Sequence, residues 1–196
     1  MTLHRFDLQH LPVTAWKNGG GHTRELVRFP AQAGLDDFEW RISVADIAQA
    51  GPFSSFVGMD RHLLILQGEG VSLRSQEANI DKILRADGEV LAFVGEVDMD
   101  SQLLAGAVCD FNVMVRRGLW QAQVAVWHTA NTFTVSTGLV MLWQGEAQCQ
   151  VGAETLRLQA GQGVWWQSQP TEWSWQPLSA EAKLIAVNLQ QLPTVP

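Results

Sequence analysis

One internal repeat limits the folds open to this chain. Leu64-Ile65-Leu66-Gln67-Gly68-Glu69 recurs as Met141-Leu142-Trp143-Gln144-Gly145-Glu146, 77 residues later. Leu84-Arg85-Ala86-Asp87-Gly88 is echoed by Leu158-Gln159-Ala160-Gly161-Gln162, at an offset of about 74. A period this long marks two copies of one multi-strand unit, not a solenoid of short repeats. The 196 residues allow one large domain or two small ones. Folding at this size buries roughly 70% of the unfolded-chain surface, so a core forms without staples.

The segments around the repeat alternate with period two. Phe38, Trp40, Ile42 and Val44 share one face of a predicted strand, against Glu39, Arg41, Ser43 and Ala45 on the other. In Cys109–Arg116, Asp110, Asn112, Met114 and Arg116 oppose Phe111, Val113 and Val115. Such alternation predicts strands with unlike faces. Further strands are expected at Leu3–Leu8, Arg24–Phe29, Ala78–Leu84, Gly88–Val94, Ala122–Thr129, Thr132–Thr137, Leu139–Gln144, Ala147–Val151, Glu154–Leu158, Gly163–Gln167 and Leu184–Leu189. Asp87-Gly88 reads as a hairpin dipeptide, and the acidic Val97–Gln102 as a loop. No ten-residue amphipathic helix appears. Many short strands with glycine-rich turns indicate an all-β sandwich or barrel. The boundaries expected are 1–118 for the first barrel and 119–196 for the second, with strands exchanged between the halves allowed. Four of the nine tryptophans fall in Trp165-Trp166 and Trp173-Ser174-Trp175. Rings of that area are expected to fill a barrel end or a subunit contact, which leaves a homodimer open.

A formal charge of −7 without a basic cluster argues against a nucleic-acid partner, which needs a Lys/Arg stripe. No apolar run approaches the ~18 residues that span a bilayer, and the N-terminus lacks a signal-peptide pattern. A cytoplasmic location without membrane attachment is expected. Cys109 and Cys149 form no C-x-x-C, so they read as buried thiols.

A negative protein can still hold a small anion at one well-placed arginine. Arg61 stands just before the apolar run Leu63–Leu66, and a guanidinium cannot shed its proton. Its neighbour Asp60 should point to the opposite face. Arg41, Asn112 and Arg116 are candidates for further donors. Trp16 and Asn18, with Gly19-Gly20-Gly21, are candidates for the mouth of a site. The triple glycine reads either as an anion nest or as a wide turn. It lacks the spacing of a nucleotide-binding loop.

Four motifs in order carry a family resemblance: Trp16-Lys17-Asn18-Gly19-Gly20-Gly21-His22-Thr23, Trp40-Arg41-Ile42-Ser43-Val44-Ala45, Gly51-Pro52-Phe53-Ser54-Ser55-Phe56-Val57-Gly58-Met59-Asp60-Arg61, and Asp110-Phe111-Asn112-Val113-Met114-Val115-Arg116. With them the chain resembles the HutD/Ves family. The turns Leu-Gln-Gly-Glu-Gly and Trp-Gln-Gly-Glu-Ala, followed by Leu-x-Ala-Gly, are similar to those of cupin barrels. The resemblance implies a bicupin and an association with bacterial histidine utilisation, without an established catalytic activity.

Most cupin enzymes hold a metal through H-x-H-x(3,4)-E-x(6)-G and a later histidine. Counting back from Gly68, the glutamate position falls on Arg61, and the histidine positions on Ser54 and Phe56 or on Ser55 and Val57. Counting from Gly145 gives Gly138, with Asn131 and Phe133 or Thr132 and Thr134, and the late histidine position is Glu172. A transition metal needs three or four converging ligands, so neither a metal nor another cofactor is expected. The expected partner is a small organic acid: formylglutamate, urocanate or a formate-like anion. No catalytic residue is assigned. The alternatives are a metal-free isomerase, epimerase or hydrolase using His62 or His22 as general base, and a metal-dependent dioxygenase.

Overall fold

The computed structural model describes residues 2–17, 19–151 and 153–193. Among these, nineteen strands follow in chain order: β1 (His4–Asp7), β2 (Val13–Ala15), β3 (Gly21–Phe29), β4 (Trp40–Ile47), β5 (Gly51–Pro52), β6 (Met59–Gln67), β7 (Val71–Ser75), β8 (Ile80–Leu84), β9 (Leu91–Val94), β10 (Asp100–Leu103), β11 (Val108–Arg116), β12 (Trp120–Trp127), β13 (Asn131–Val135), β14 (Thr137–Gln144), β15 (Glu146–Val151), β16 (Glu154–Gln159), β17 (Gln162–Trp166), β18 (Thr171–Pro177) and β19 (Lys183–Gln191). The one helical element described is a single 3₁₀ turn at Leu8–His10, capped by the Asp7 carboxylate.

The chain forms two compact units, one of Pro12–Gln121 with Leu192–Pro196, the other of Met1–Leu11 with Ala122–Gln191. The domains read from the sequence, 1–118 and 119–196, thus exchange their ends: β1 pairs antiparallel with β17, His4 facing Trp165. A strand so close to the N-terminus looks local in sequence, yet its hydrogen-bonding partner is decided by which sheet edge lies beside it.

The repeat is a repeat of topology. The first unit carries sheets ordered β2-β3-β4-β11-β6-β9 and β5-β10-β7-β8. The second carries β1-β17-β14-β19-β12 and β13-β18-β15-β16. Apart from the added β1, β2 and β3, β4-β11-β6-β9 corresponds to β12-β19-β14-β17, and β5-β10-β7-β8 to β13-β18-β15-β16. The repeated hexapeptides end the equivalent strands β6 and β14. Their glycines turn the chain through positive φ, 97° at Gly68 and 75° at Gly145, a region open to Gly at little cost.

Period-two alternation sends one face of each strand inward. In the first unit Ile47, Leu63, Ile65, Val71, Leu73, Leu84, Met99 and Val108 form the core. In the second, Val140, Leu142, Leu156, Trp166, Trp173 and Trp175 do so. The Trp166 and Trp173 rings stack with centroids 4.5 Å apart, and Phe133 lies against Trp173. The tryptophan cluster therefore fills a barrel interior, except Trp165, whose ring stacks on His4 at 4.0 Å.

Two local expectations change, and one pair of alternatives is decided. Asp87-Gly88 is a connection between sheets and no hairpin, because β8 pairs with β7 and β9 with β6. Within the expected loop Val97–Gln102 a strand begins: β10 bonds to β7 and β5, with Asp100 exposed and Ser101 buried, its hydroxyl donating to the Gly51 carbonyl at 2.7 Å. Outward acidic residues hid a strand whose inward residues are short. Of the two readings of the triple glycine, the wide turn holds. Gly19 N–H donates to Trp16 O and Trp16 N–H to Gly21 O, joining β2 to β3.

Trp166→Ala should lower the unfolding free energy by about 3–5 kcal/mol, the usual range for removing a fully buried large aromatic ring. In urea denaturation the midpoint should fall while the slope stays that of the parent, as befits a loss of packing in an unchanged fold.

Candidate functional site

The inner wall of the six-stranded sheet carries a polar quadrant. Pairing of β3, β4, β11, β6 and β9 aligns inward residues in rows across the strands. Arg28, Arg41, Met114, Arg61 and Phe93 form the first; Glu25, Ser43, Asn112, Leu63 and Leu91 the second; Thr23, Ala45, Asp110 and Ile65 the third. Successive rows lie two residues apart, roughly 7 Å. Three arginines thus stand at one end of the quadrant and the Asp110 carboxyl at the other. The face is the barrel interior, since Leu63, Ile65 and Phe93 belong to the core cluster.

Arg61 is 4% exposed. Three aromatic rings surround its guanidinium carbon: Phe93 at 5.0 Å, Phe56 at 5.4 Å and Phe53 at 5.5 Å. Each such contact stabilises the cation by about 0.5–2 kcal/mol. Phe53 and Phe56 arrive on the irregular segment between β5 and β6, held by backbone bonds from Phe53 N–H to Met99 O and from Phe56 N–H to Gly95 O. One Arg61 Nη1–H donates to the Ser54 carbonyl at 3.0 Å. Among the described residues no carboxylate makes an ion-pair contact with this guanidinium. Asp60 points to the other face, as strand alternation requires, and binds Arg117 at 2.7 Å.

Three buried polar atoms on the same inner face have neither a hydrogen-bond nor an ion-pair partner: Arg61 Nε, Asn112 Oδ1 and Asp110 Oδ1; Arg28 Nε, also without a hydrogen bond, meets the Glu25 carboxylate at 3.4 Å. Most buried polar atoms are satisfied, so this concentration in one quadrant marks a place built to meet something else. Burial pushes the Arg61 pKa down to about 10; nearby Arg41 acts in the same sense and Asp110 against it. The guanidinium stays charged at neutrality. Burial pushes Asp110 up to about 7, with Arg61 opposing the rise and Asp46 adding to it.

The other candidates are placed as follows. Arg41, in the row of Arg61, is held by Glu25 through Nε at 2.6 Å. Asn112 stands between the arginines and Asp110. Trp16 packs against the core and donates from its indole to Thr23 Oγ1 at 2.8 Å, at the third row. Arg116 turns away: its guanidinium donates to the carbonyls of Asp36 and Phe38, fixing the chain before β4. Asn18 lies outside the described residues. The three phenylalanines were not among the sequence candidates. The signal for Asp110 was its alternation with Asn112, which only pairing across strands connects to Arg61.

His62 and His22 face away from the quadrant. His62 pairs with Val113 and Ala92, and burial lowers its pKa. His22 binds Asp46 at 2.8 Å on the opposite face, where Arg24 meets the same oxygen. The cysteines are free, and burial raises both thiol pKa values, that of Cys149 to about 12. In the second unit, depressions of about 460 and 390 Å³ lie along the outer side of β13, β15 and β18, lined mainly by Asn131, Gln148, Gln150, Ser174 and Gln176. They carry no buried cation, and Arg61 remains the better founded site.

A family model described as HutD matches residues 7–185. The chain belongs to the HutD family. Among its relatives is an uncharacterised 21.2 kDa protein of Pseudomonas putida named for the hutC 3′ region, 35% identical over 153 residues, covering 76% of this chain and 79% of the relative. Protein Ves of Escherichia fergusonii is 33% identical over 190 residues, covering 96% and 94%. Of solved structures, a conserved protein of unknown function from Pseudomonas aeruginosa PAO1 superposes with a TM-score of 0.87 at 29% identity, over 97% of this chain and all of that one. HutD from Pseudomonas fluorescens SBW25, in a formate condition, gives 0.83 at 26%, over 98% and 100%. A cupin 2 conserved barrel protein from Leptotrichia buccalis, 10% identical with a TM-score of 0.59, shares the fold. The all-β cupin architecture follows from the topology and this likeness together.

Many cupin barrels hold a metal, and the quadrant of this HutD-family chain does not suit one. The position of the usual glutamate ligand holds a guanidinium, which repels a cation. Among the described residues no three His, Cys, Asp or Glu side chains converge. No helix of the described residues is long and apolar enough to cross a membrane.

A raised carboxyl pKa has a definite stability signature. The folded Asp110 retains its proton above the pH at which the unfolded one ionises. Its contribution is therefore full below about pH 4 and is lost as pH rises toward about 7, by linkage. Relative to Asp110→Asn, the parent should lose melting temperature between pH 5 and 7.5, and the gap should level off above that range.

Proposed function

We propose that this HutD-family protein is a non-catalytic receptor for a small organic carboxylate, bound at Arg61, and that it tempers histidine breakdown by sensing an intermediate of that pathway, formylglutamate or urocanate. The observation that carries the reading is a buried guanidinium with a free Nε–H and no ion-paired carboxylate. Removing such a charge from water costs several kcal/mol unless it is compensated. The rings and one carbonyl compensate part, and a ligand carboxylate completes the rest. A charge-assisted hydrogen bond contributes about 1.5–3 kcal/mol net, so two or three give an affinity between about millimolar and micromolar. That range suits a metabolite present in quantity.

Two facts about relatives support this choice of chemistry. The P. fluorescens HutD structure was obtained in a formate condition, and the P. putida relative is named for a hutC region. The two histidines that a catalytic reading would use as general base, His62 and His22, stand on the other face.

A thermal-shift series with urocanate, formylglutamate, glutamate and formate tests the proposal. At a hundredfold excess over its dissociation constant, a true ligand should stabilise the parent by about 2.7 kcal/mol. Arg61→Ala should fold, by circular dichroism, and lose that stabilisation. A shift of equal size in Arg61→Ala would remove the assignment, as would the lack of any response in the parent.

A further inference from the structure

Resting on that reading, the site has a second half with a chemistry of its own. The orphaned atoms of the quadrant are unlike: Arg61 Nε is a donor, whereas Asn112 Oδ1 and Asp110 Oδ1 are oxygens. A plain carboxylate offers only acceptors. It satisfies Arg61 and leaves both oxygens orphaned, with its own negative charge brought toward a second carboxyl group.

We propose that Asp110, seconded by Asn112, is the specificity-determining group of the Arg61 site. It accepts a hydrogen bond from an N–H or O–H of the ligand, so that the site selects acids carrying such a donor a few atoms from the carboxylate. The ligand class is amide- or hydroxyl-bearing carboxylates, held with the acid end on the arginine row and the donor toward the third row.

Three observations converge on this. Asp110 is 3% exposed and Asn112 9%, so water is a poor substitute for a ligand donor. Both belong to β11 at successive inward positions, and Asn112 stands between the rows of Arg61 and Asp110. A ligand lying along β11 from the arginine row meets first one oxygen and then the other. Finally, the groups that could have neutralised Asp110 are engaged or apart. Arg61 acts on it through space without contact, Arg41 and Arg28 are bound to Glu25, and Arg24 and His22 are bound to Asp46 on the opposite face. Leaving a buried acceptor unmet weakens binding by about ten- to a hundredfold.

The two ligand types also differ in how pH acts on them. Protonated Asp110 has an O–H that can meet a plain carboxylate; ionised Asp110 only accepts. Because the group titrates near pH 7 and simple ligand carboxyls stay ionised there, binding of a donor-free acid should weaken from pH 6 to 8. Binding of a donor-bearing acid should hold or strengthen.

Isothermal titration with matched pairs tests this on the full chain. N-acetylglycine and 4-oxopentanoate differ by N–H against CH₂, and 4-hydroxybutyrate and pentanoate by O–H against CH₃. In the parent the donor-bearing member of each pair should bind about tenfold or more tightly at pH 7.5. Asp110→Val, which fills the position without a polar atom, should bring the members within about threefold of each other. Asp110→Asn should flatten the pH dependence of both. Equal affinities within each pair in the parent, or a preference that survives Asp110→Val, would overturn the role of Asp110. If that binding still vanished in Arg61→Ala, the carboxylate receptor would stand without this selectivity. If no member bound the parent, both assignments would fall.

Discussion

The interior of the first barrel is organised around one charge that is buried without being neutralised by contact. A guanidinium placed at the wall of an apolar core would ordinarily be destabilising. Here the charge is spread over three aromatic faces and one carbonyl, and a carboxyl group acts on it from a distance. The neighbouring features then have a common cause. Arg41 is tolerated in the same row because Glu25 holds it. Asp110 is tolerated deep in the sheet because burial lets it keep its proton near neutrality. The polar rows are thus an electrostatic unit, in which removing one member changes what the others require.

The two units show how one topology supports opposite interiors. Strand for strand they share an order and a turn, yet the second is packed with tryptophan rings to the density of a core while the first keeps polar side chains on its inner wall. In the second, Gly138 stands at the position that Arg61 holds in the first by the repeat. A side chain there would meet the Val187 carbonyl, since an added Cβ would lie 2.5 Å from that oxygen and 3.1 Å from the Trp166 ring. Backbone and ring have closed the space that a functional group would need.

Much of this was legible beforehand. Alternation assigned Arg41 and Ser43 to one face of β4, and Asp110 and Asn112 to one face of β11. It also separated Arg61 from Asp60 and His62. The rest depended on which strand lies beside which. Arg116 shares the alternation of Asn112, but it stands at the end of its strand, and two carbonyls of the segment before β4 capture its guanidinium. Phe53 and Phe56 sit in a segment without period, so nothing local announced that their rings would enclose a cation. Asp100 and its neighbours read as loop because a short strand with acidic outward residues carries little apolar signal.

The sequence by itself determined the number of units, their β character, the turns that end β6 and β14, and the face to which each residue of a strand points. These are local properties, set by φ/ψ preference and a period of two, and they need no knowledge of the partner. Only the tertiary structure decided that β1 joins the second unit and that Arg61, Asn112 and Asp110 share a wall. It also decided that three of their polar atoms remain unmet. Register and strand order are fixed by pairing between residues dozens of positions apart, where the total burial of a sheet outweighs the preference of any segment.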